Sequence, residues 1–299
     1  MVGRKVVFPV IIDAVVAVYN REVQRVPLVE VAERQLNLKI FICDNSTDCL
    51  IKERNREYTE KRQNLVWLDM GGNVGISAAF NRAVEMTKGD MVCFFDDDTE
   101  VPSDYFWKAS RYMSNGGPGL YLPLVYSKGI LLSPLIADGV VIRKARSVGE
   151  LANRCVSGFN TGMFLDGNTA RELKHDENLF LDFVDHAYCS LARDRGVEIK
   201  IAENIELEQD YSRDTNSLSD AIFRMGITEK DVKHYYSSSI FSRTYAGAYL
   251  LYLRLRNAVK YKTILFFFPS LFNRTDSGVD ADSNEKGNSG KNRFTRDAN

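Results

Sequence analysis

The sequence predicts an α/β protein built on a doubly wound, mainly parallel sheet, and three observations carry that expectation. Short apolar runs alternate with helical patterns between residues 14 and 95. Each run ends in a cluster of Asp, Asn, Ser or Gly, which places the polar residues on one edge of the sheet. The run Met91, Val92, Cys93, Phe94, Phe95 is apolar on both faces of a strand, and Asp96, Asp97 and Asp98 follow it directly.

The elements follow in order. Residues 14–18 are a β-branched and alanine strand ending at Tyr19, Asn20 and Arg21, and residues 27–34 read as a helix. Residues 39–43 are a second strand, ending in Asp44, Asn45, Ser46, Thr47 and Asp48 before a helix rich in Glu, Lys and Arg. Residues 65–68 are a third strand, running into Gly71, Gly72, Asn73, Val74 and Gly75. A helix is expected over 77–88 with Gly89 as its C-terminal cap, and then the strand before the three aspartates. Further on, 120–125 and 139–142 read as strands of antiparallel character, 160–165 as a strand entered by a polar turn, 182–194 as a helix closed by Gly196, and 198–202 as a last strand. The short crossovers are those of a sheet with a nucleotide-sized crevice at its carboxyl edge.

Composition bounds the rest. The chain has 299 residues, 44% hydrophobic and 26% charged, enough for one large domain or one domain with an appendage. A net charge of −1 excludes a protein that binds polyanions through its overall field, and no stacking motif points to nucleic acid. The five cysteines are odd in number and form neither a CxxC pair nor a zinc pattern, so a reducing cytoplasm is the expected compartment. No signal peptide is expected, and the apolar run 264–272 is too short to span a bilayer. After about residue 217 Tyr, Phe, Leu, Arg and Lys recur at helical spacing, and after about 275 almost no apolar residue remains. The expected organisation is a catalytic domain over 1–215, a helical segment over 216–272 and a disordered tail over 273–299.

Three adjacent carboxylates repel each other unless a cation is shared. Asp96 and Asp98 point to one side of an extended backbone, where a hard divalent ion bound to a diphosphate would fit, and Asp97 points away. A polar turn with Asp98 or Thr99 capping the next helix fits the same stretch. Asp44 can accept from a base or a ribose, or close an Asx-turn. The turn of Gly71, Gly72, Asn73 and Gly75 lets backbone approach a ligand closely, but matches neither GxGxxG nor GxxxxGK[ST]. Asn81 falls on the inner face of the following helix, or is an ordinary surface amide. Asp182 and Asp185 stand at a helix start, with Asp182 the expected N-cap and Asp185 one turn in, where it could deprotonate a hydroxyl. His186 points about 100° away from Asp185 and is set aside as a supporting or surface residue. No Ser-His-Asp or Cys-His arrangement is present in the pattern.

The strand ending in Asn20 and Arg21, the turn from Cys43 to Asp48, the stretch from Asn73 through Gly75 to Asn81, the Asp96, Asp97, Asp98 motif and the helix with Val184 and Asp185 occur together in this order. That ordered set, over roughly residues 10 to 210, resembles family 2 glycosyltransferases of the GT-A fold. Phe180, Leu181, Asp182, Phe183, Val184 and Asp185, followed by Arg193 and Gly196, are similar to a phrase of its bacterial rhamnosyl- and galactofuranosyltransferase branch. The resemblance implies inverting transfer from a nucleotide-diphosphate sugar, UDP- or dTDP-linked, with Mn²⁺ or Mg²⁺. The acceptor it implies is a hydroxyl of a glycan, glycoprotein or lipid-linked molecule in bacterial surface polysaccharide or glycoprotein synthesis. It assigns Asp185 as general base, and Asp44, Asn73, Gly75, Asn81 and Asp96 to the donor. Asp98, with Asp96, would hold the metal, and residues 157–162 would shape the sugar pocket.

One departure stands out. Many members carry a further metal-ligand His after the base helix; here Gln209 stands in its place, with Glu208 or Asp210 as alternative oxygen ligands. The basic-aromatic stretch 245–272 fits docking on the catalytic domain, on a second copy of the chain, or on the inner face of a membrane. Alternatives of another class are a nucleotidyltransferase, whose basic Gly-rich loop residues 18–25 lack, and a non-catalytic sugar-nucleotide-binding subunit.

Overall fold

The structure, a computed structural model, describes residues 10–32, 35, 37–209 and 217–268. β1 (Ile12–Val18) pairs in parallel with β2 (Leu38–Asp44) on one side and β4 (Met91–Phe95) on the other, and β2 pairs in parallel with β3 (Leu65–Asp69). The direction in which strands are added therefore reverses between β1 and β4. In such a sheet the crevice outside the carboxyl ends at that reversal is the ligand site. Val18, Asp44 and Phe95 end there, which brings the polar turns after β1, β2 and β4 together.

Beyond β4 the sheet becomes mixed. β10 (Met163–Asp166) lies antiparallel between β4 and β5 (Leu120–Ser127), and β11 (Ile199–Glu208) runs parallel to β5. The strand order is β11-β5-β10-β4-β1-β2-β3, with β6 (Ile130–Ser133) hydrogen-bonded to β5. β7 (Leu135–Asp138), β8 (Val141–Lys144) and β9 (Val156–Ser157) form a small second sheet, so the strand expected near 139–142 is antiparallel but outside the main sheet. Every residue of β4 is buried, because apolar side chains cover both faces of the sheet: Val16, Cys93 and Phe95 face one cluster, Val15, Cys43 and Phe94 the other.

Two helix ends differ from the expectation. α3 (Ile76–Val84) stops well before residue 88. The Asp13 carboxylate accepts from Lys88 N at 2.7 Å and Gly89 N at 2.6 Å, which holds this stretch as a turn into β4. Gly89 is needed for close approach, not for a left-handed cap: a Cβ there would lie 2.9 Å from Ile11 O. α6 (Val184–Asp194) begins after Phe183, whose left-handed backbone (φ 65°) leaves Asp182 outside the helix. Asp182 is therefore not the N-cap; its carboxylate accepts from Arg224 Nη2 at 2.7 Å and Thr228 Oγ1 at 2.6 Å. β11 also runs on past residue 202, through an irregularity between Ala202 and Glu206.

Those two partners lie on α7 (Leu218–Tyr235), which pairs with α8 (Ile240–Tyr261). Ser217 and Ser239 cap the two helices, and Ile222, Met225, Val232, Leu250, Leu253 and Phe266 form their shared core. Asp231 of α7 is 1% exposed. It accepts three backbone N–H groups, from Phe180 (3.0 Å), Leu181 (2.9 Å) and Asp182 (2.8 Å). Phe183 then stacks on Tyr235 with centroids 4.8 Å apart, and Tyr249 of α8 meets its edge. The helices expected after 216 thus dock through aromatic residues, while the boundary near 215, residues 269–272 and the tail 273–299 fall outside the described residues.

Asp231→Ala leaves three partly buried N–H groups without their acceptor and is expected to lower the unfolding free energy by about 3 kcal/mol. Urea unfolding of the full chain checks it, and an unchanged midpoint would mean the hairpin is held by its aromatic contacts alone.

Candidate active site

The three aspartates after β4 divide as expected, but on a turn closed by Thr99 N donating to Asp96 O at 3.3 Å rather than on extended backbone. Asp96 accepts from Thr161 Oγ1 in a short hydrogen bond and from Gln209 Nε2 at 3.1 Å, and the same Nε2 lies 3.5 Å from Asp98 Oδ1. Asp97 turns the other way and pairs with Arg21 Nη1 at 3.4 Å. Burial pushes the Asp96 carboxyl up to about 6, the charges of Asp98 and Asp185 push in the same direction, and the Thr161 and Gln209 hydrogen bonds oppose them. Burial also raises Asp97 to about 6, against the pull of Arg21. Neither Asp98 nor Thr99 caps a helix; α4 (Tyr105–Gly116) begins after Asp104.

Asp185 stands in the first turn of α6, mostly buried, with Oδ1 accepting from His186 N at 2.8 Å. His186 is not a surface residue: its ring is 12% exposed and Nδ1 lies 2.8 Å from Ser157 Oγ. Ser157 ends β9, and Thr161, four residues on, holds Asp96. The segment expected to lie between the two carboxylate sites therefore touches the residue beside one and the carboxylate of the other.

The expected donor-side residues are more unevenly placed. Asp44 is fully buried, accepting from Ser46 N at 3.0 Å, Asn55 Nδ2 at 2.9 Å and Trp67 Nε1 at 3.1 Å. Both carboxylate oxygens are thus already engaged by the protein's own donors. Asn73 is exposed on the turn, with its Oδ1 accepting from Gly75 N at 3.3 Å. Gly75 opens α3 with φ 86°, and a Cβ there would lie 2.7 Å from Phe180 O, so only glycine admits the 180–183 strap this closely. Asn81 is a buried amide, not an ordinary surface one. Its Nδ2 donates to His175 O (3.0 Å) and Glu177 Oε1 (2.9 Å), and its Oδ1 accepts from His175 N (2.8 Å). Its hydrogen-bonding capacity holds residues 175–177 on α3. Sequence reasoning did not find Asn55 or Trp67; an uncharged Asn in the middle of a helix of Glu, Lys and Arg was the signal for the first.

Gln209 is the residue at the missing His position that reaches both Asp96 and Asp98. Glu208 instead accepts from Lys128 N at 2.7 Å, and Asp210 lies outside the described residues. The Gln209 amide oxygen is buried with no hydrogen-bond partner. A half-turn of that amide brings an oxygen to the two carboxylates. Among the described residues no three of His, Cys, Asp or Glu converge as a metal cage. Two carboxylates and one amide oxygen suit a hard cation such as Mn²⁺ or Mg²⁺ that takes further ligands from a substrate phosphate. The residues present fit such an ion in that limited way.

A mixed sheet whose strand order reverses between β1 and β4, with acidic residues after β4 and at the start of α6, is the arrangement of the GT-A fold. The glycosyl transferase family 2 model matches residues 13–133. A dTDP-rhamnosyl transferase, RfbF, of Shigella flexneri is 22% identical over 204 residues, covering 66% of this chain and 68% of that protein. A mannosyltransferase from Pyrobaculum calidifontis, solved with GDP-Man and Mn²⁺, matches in fold with a TM-score of 0.54 at 12% identity, covering 91% of this chain and 76% of that one. The family 2 match runs from β1 to β6, the part of the sheet that carries Asp44 and the turn of Asp96, Asp97 and Asp98.

The raised Asp96 and Asp97 carboxyls predict a pH dependence. Between pH 4 and 6 the folded state holds protons that the unfolded chain has released, so stability falls as pH rises through this window. Asp96→Asn is expected to flatten that fall without reversing it. Urea midpoints of the two proteins at both ends of the window measure the difference; parallel curves would show that Asp96 does not titrate there.

Proposed function

We propose that this glycosyltransferase inverts configuration at the anomeric carbon of a nucleotide-diphosphate sugar, using Asp185 as general base. The observation that carries the reading is the segment from Ser157 to Thr161, which joins His186, beside Asp185, to Asp96. A single displacement needs a base on the acceptor side and charge compensation on the leaving-group side. Asp185 takes the proton of the acceptor hydroxyl, and the His186 N–H on Oδ1 with the Ser157 contact keeps its helix turn in place. Asp98 and Asp96, with the Gln209 oxygen, would hold a divalent ion, which would supply positive charge for the departing diphosphate. The Asn73–Gly75 turn lies at the donor rim, and Asp44 meets the base or ribose through the edge that Trp67 closes.

The name of the Shigella flexneri relative supports a dTDP-linked donor, with a UDP-linked one the neighbouring choice. The acceptor is a hydroxyl of a glycan, glycoprotein or lipid-linked saccharide in surface polysaccharide or glycoprotein synthesis. Thermal-shift measurements with dTDP-, UDP- and GDP-sugars, with and without Mn²⁺, identify the donor.

Asp185→Asn is expected to keep donor affinity and to lower turnover by a factor of about 10² to 10⁴. Lost donor affinity with unchanged single-turnover chemistry would remove Asp185 from the role of base. Asp98→Asn is expected to abolish the part of donor affinity that depends on Mn²⁺, and turnover with it. Undiminished Mn²⁺-dependent donor binding in this variant would sink the metal site.

A further inference from the structure

α8 has two apolar faces, and only one is used. Leu250 and Leu253 are buried against α7, while Phe241 (70% exposed), Leu251 (52%), Tyr252 (57%), Leu255 (51%) and Val259 (78%) face out. At 100° per residue these five fall within an arc of about 100°, and no charged residue of α8 falls inside it. Arg256 and Lys260 follow on one edge, Arg243 precedes on the other, and Lys262 closes the C-terminal end, all exposed. Residues 240–268 contain no Asp or Glu. Ile264 and Phe268, 68% and 53% exposed, extend the apolar surface past the helix.

Isolated exposed leucines need no explanation, but a continuous apolar stripe along a helix of 22 residues does. Two occupants compete on chemistry. In a contact between two copies of this face, basic edges would meet basic edges, with no carboxylate on the segment to offset them. An anionic lipid surface offers both an apolar boundary for the stripe and negative charge for its edges. No helix among the described residues is long and apolar enough to cross a membrane, so such a contact lies along the surface.

We propose that the outer face of α8 seats this enzyme on an anionic membrane surface. The stripe enters the headgroup boundary, and Arg243, Arg256, Lys260 and Lys262 meet the lipid phosphates. The contact does not depend on the assignment of Asp185 or of the metal residues, since it is read by binding alone.

Flotation of the full chain with vesicles tests the proposal. The protein is expected to float with vesicles of phosphatidylcholine containing about one third phosphatidylglycerol, and not with phosphatidylcholine alone. Leu255→Glu with Val259→Glu is expected to abolish flotation while leaving the urea midpoint unchanged, since both side chains are exposed. Arg256→Gln with Lys260→Gln, which keeps the stripe, is expected to weaken partition by about 30-fold. Absence of flotation with the anionic vesicles would overturn the proposal. Equal binding to both vesicles would also overturn it. So would a concentration-dependent dimer that the Leu255 and Val259 substitutions dissociate.

Discussion

The placement of Asp185 depends on one carboxylate, that of Asp231. It collects three successive backbone N–H groups from residues 180–182, a stretch with no strand partner to satisfy them. The other side of the same strap is fixed by Phe180 O, which accepts from Ile76 N at 2.7 Å and packs against Gly75. Phe183, left-handed and stacked on Tyr235, then turns the chain into α6. Five residues after Phe180, Asp185 emerges at the crevice. α6 is thus held between the sheet's own α3 and a helical hairpin that follows the sheet in sequence. The hairpin is in that sense part of the site's scaffold, although none of its side chains is assigned to the chemistry.

The opposite side of the crevice is held by the reverse principle. The acidic turn after β4 concentrates negative charge where burial already disfavours it, and Asp96 answers by a raised pKa. Neutral donors offset part of the cost: the Thr161 hydroxyl and one Gln209 N–H. Among the described residues only Asp97 of the three pairs with a cation, Arg21. Asp96 and Asp98 have hydrogen bonds but no basic partner among the described residues, the electrostatic condition in which two carboxylates favour a divalent ion.

Much of this was legible in the sequence because it rests on periodicity. The apolar runs ending at Val18, Asp44 and Phe95 set the parallel strands. Asp97 parts from Asp96 and Asp98 as expected, but on a turn rather than by strand alternation. The failures share a physical cause: a side chain's tertiary partner is not written beside it. Asp182 carries the spacing of an N-cap, yet Arg224 and Thr228, more than forty positions later, claim it. Gly89 carries the position of a helix cap, yet Asp13 on β1 ends the helix region first. Asn81 lies on the helix face expected, but the 175–177 segment covers that face. Asp44, Asn45 and Asn20 are likewise bonded to neighbouring turns, Asn20 Oδ1 accepting from Thr47 N at 2.9 Å and Asp48 N at 3.1 Å. Several polar residues of the recognisable pattern therefore hold the strand-end loops in shape.

That distinction bears on the substitution of Gln for His at position 209. A histidine nitrogen can ligate a metal only when deprotonated, so its protonation and metal binding compete near neutral pH. An amide does not titrate, and it presents two faces. Its N–H side faces Asp96 and Asp98, while its oxygen side is left without a partner. Rotating the amide exchanges donor for acceptor without moving the backbone that Gln209 N anchors to Tyr126 O at 2.9 Å. The titrating group beside it is Asp96, whose carboxyl burial pushes up to about 6. A glutamine here adds no titrating group of its own and leaves the local proton balance to a carboxylate whose burial is set by the sheet.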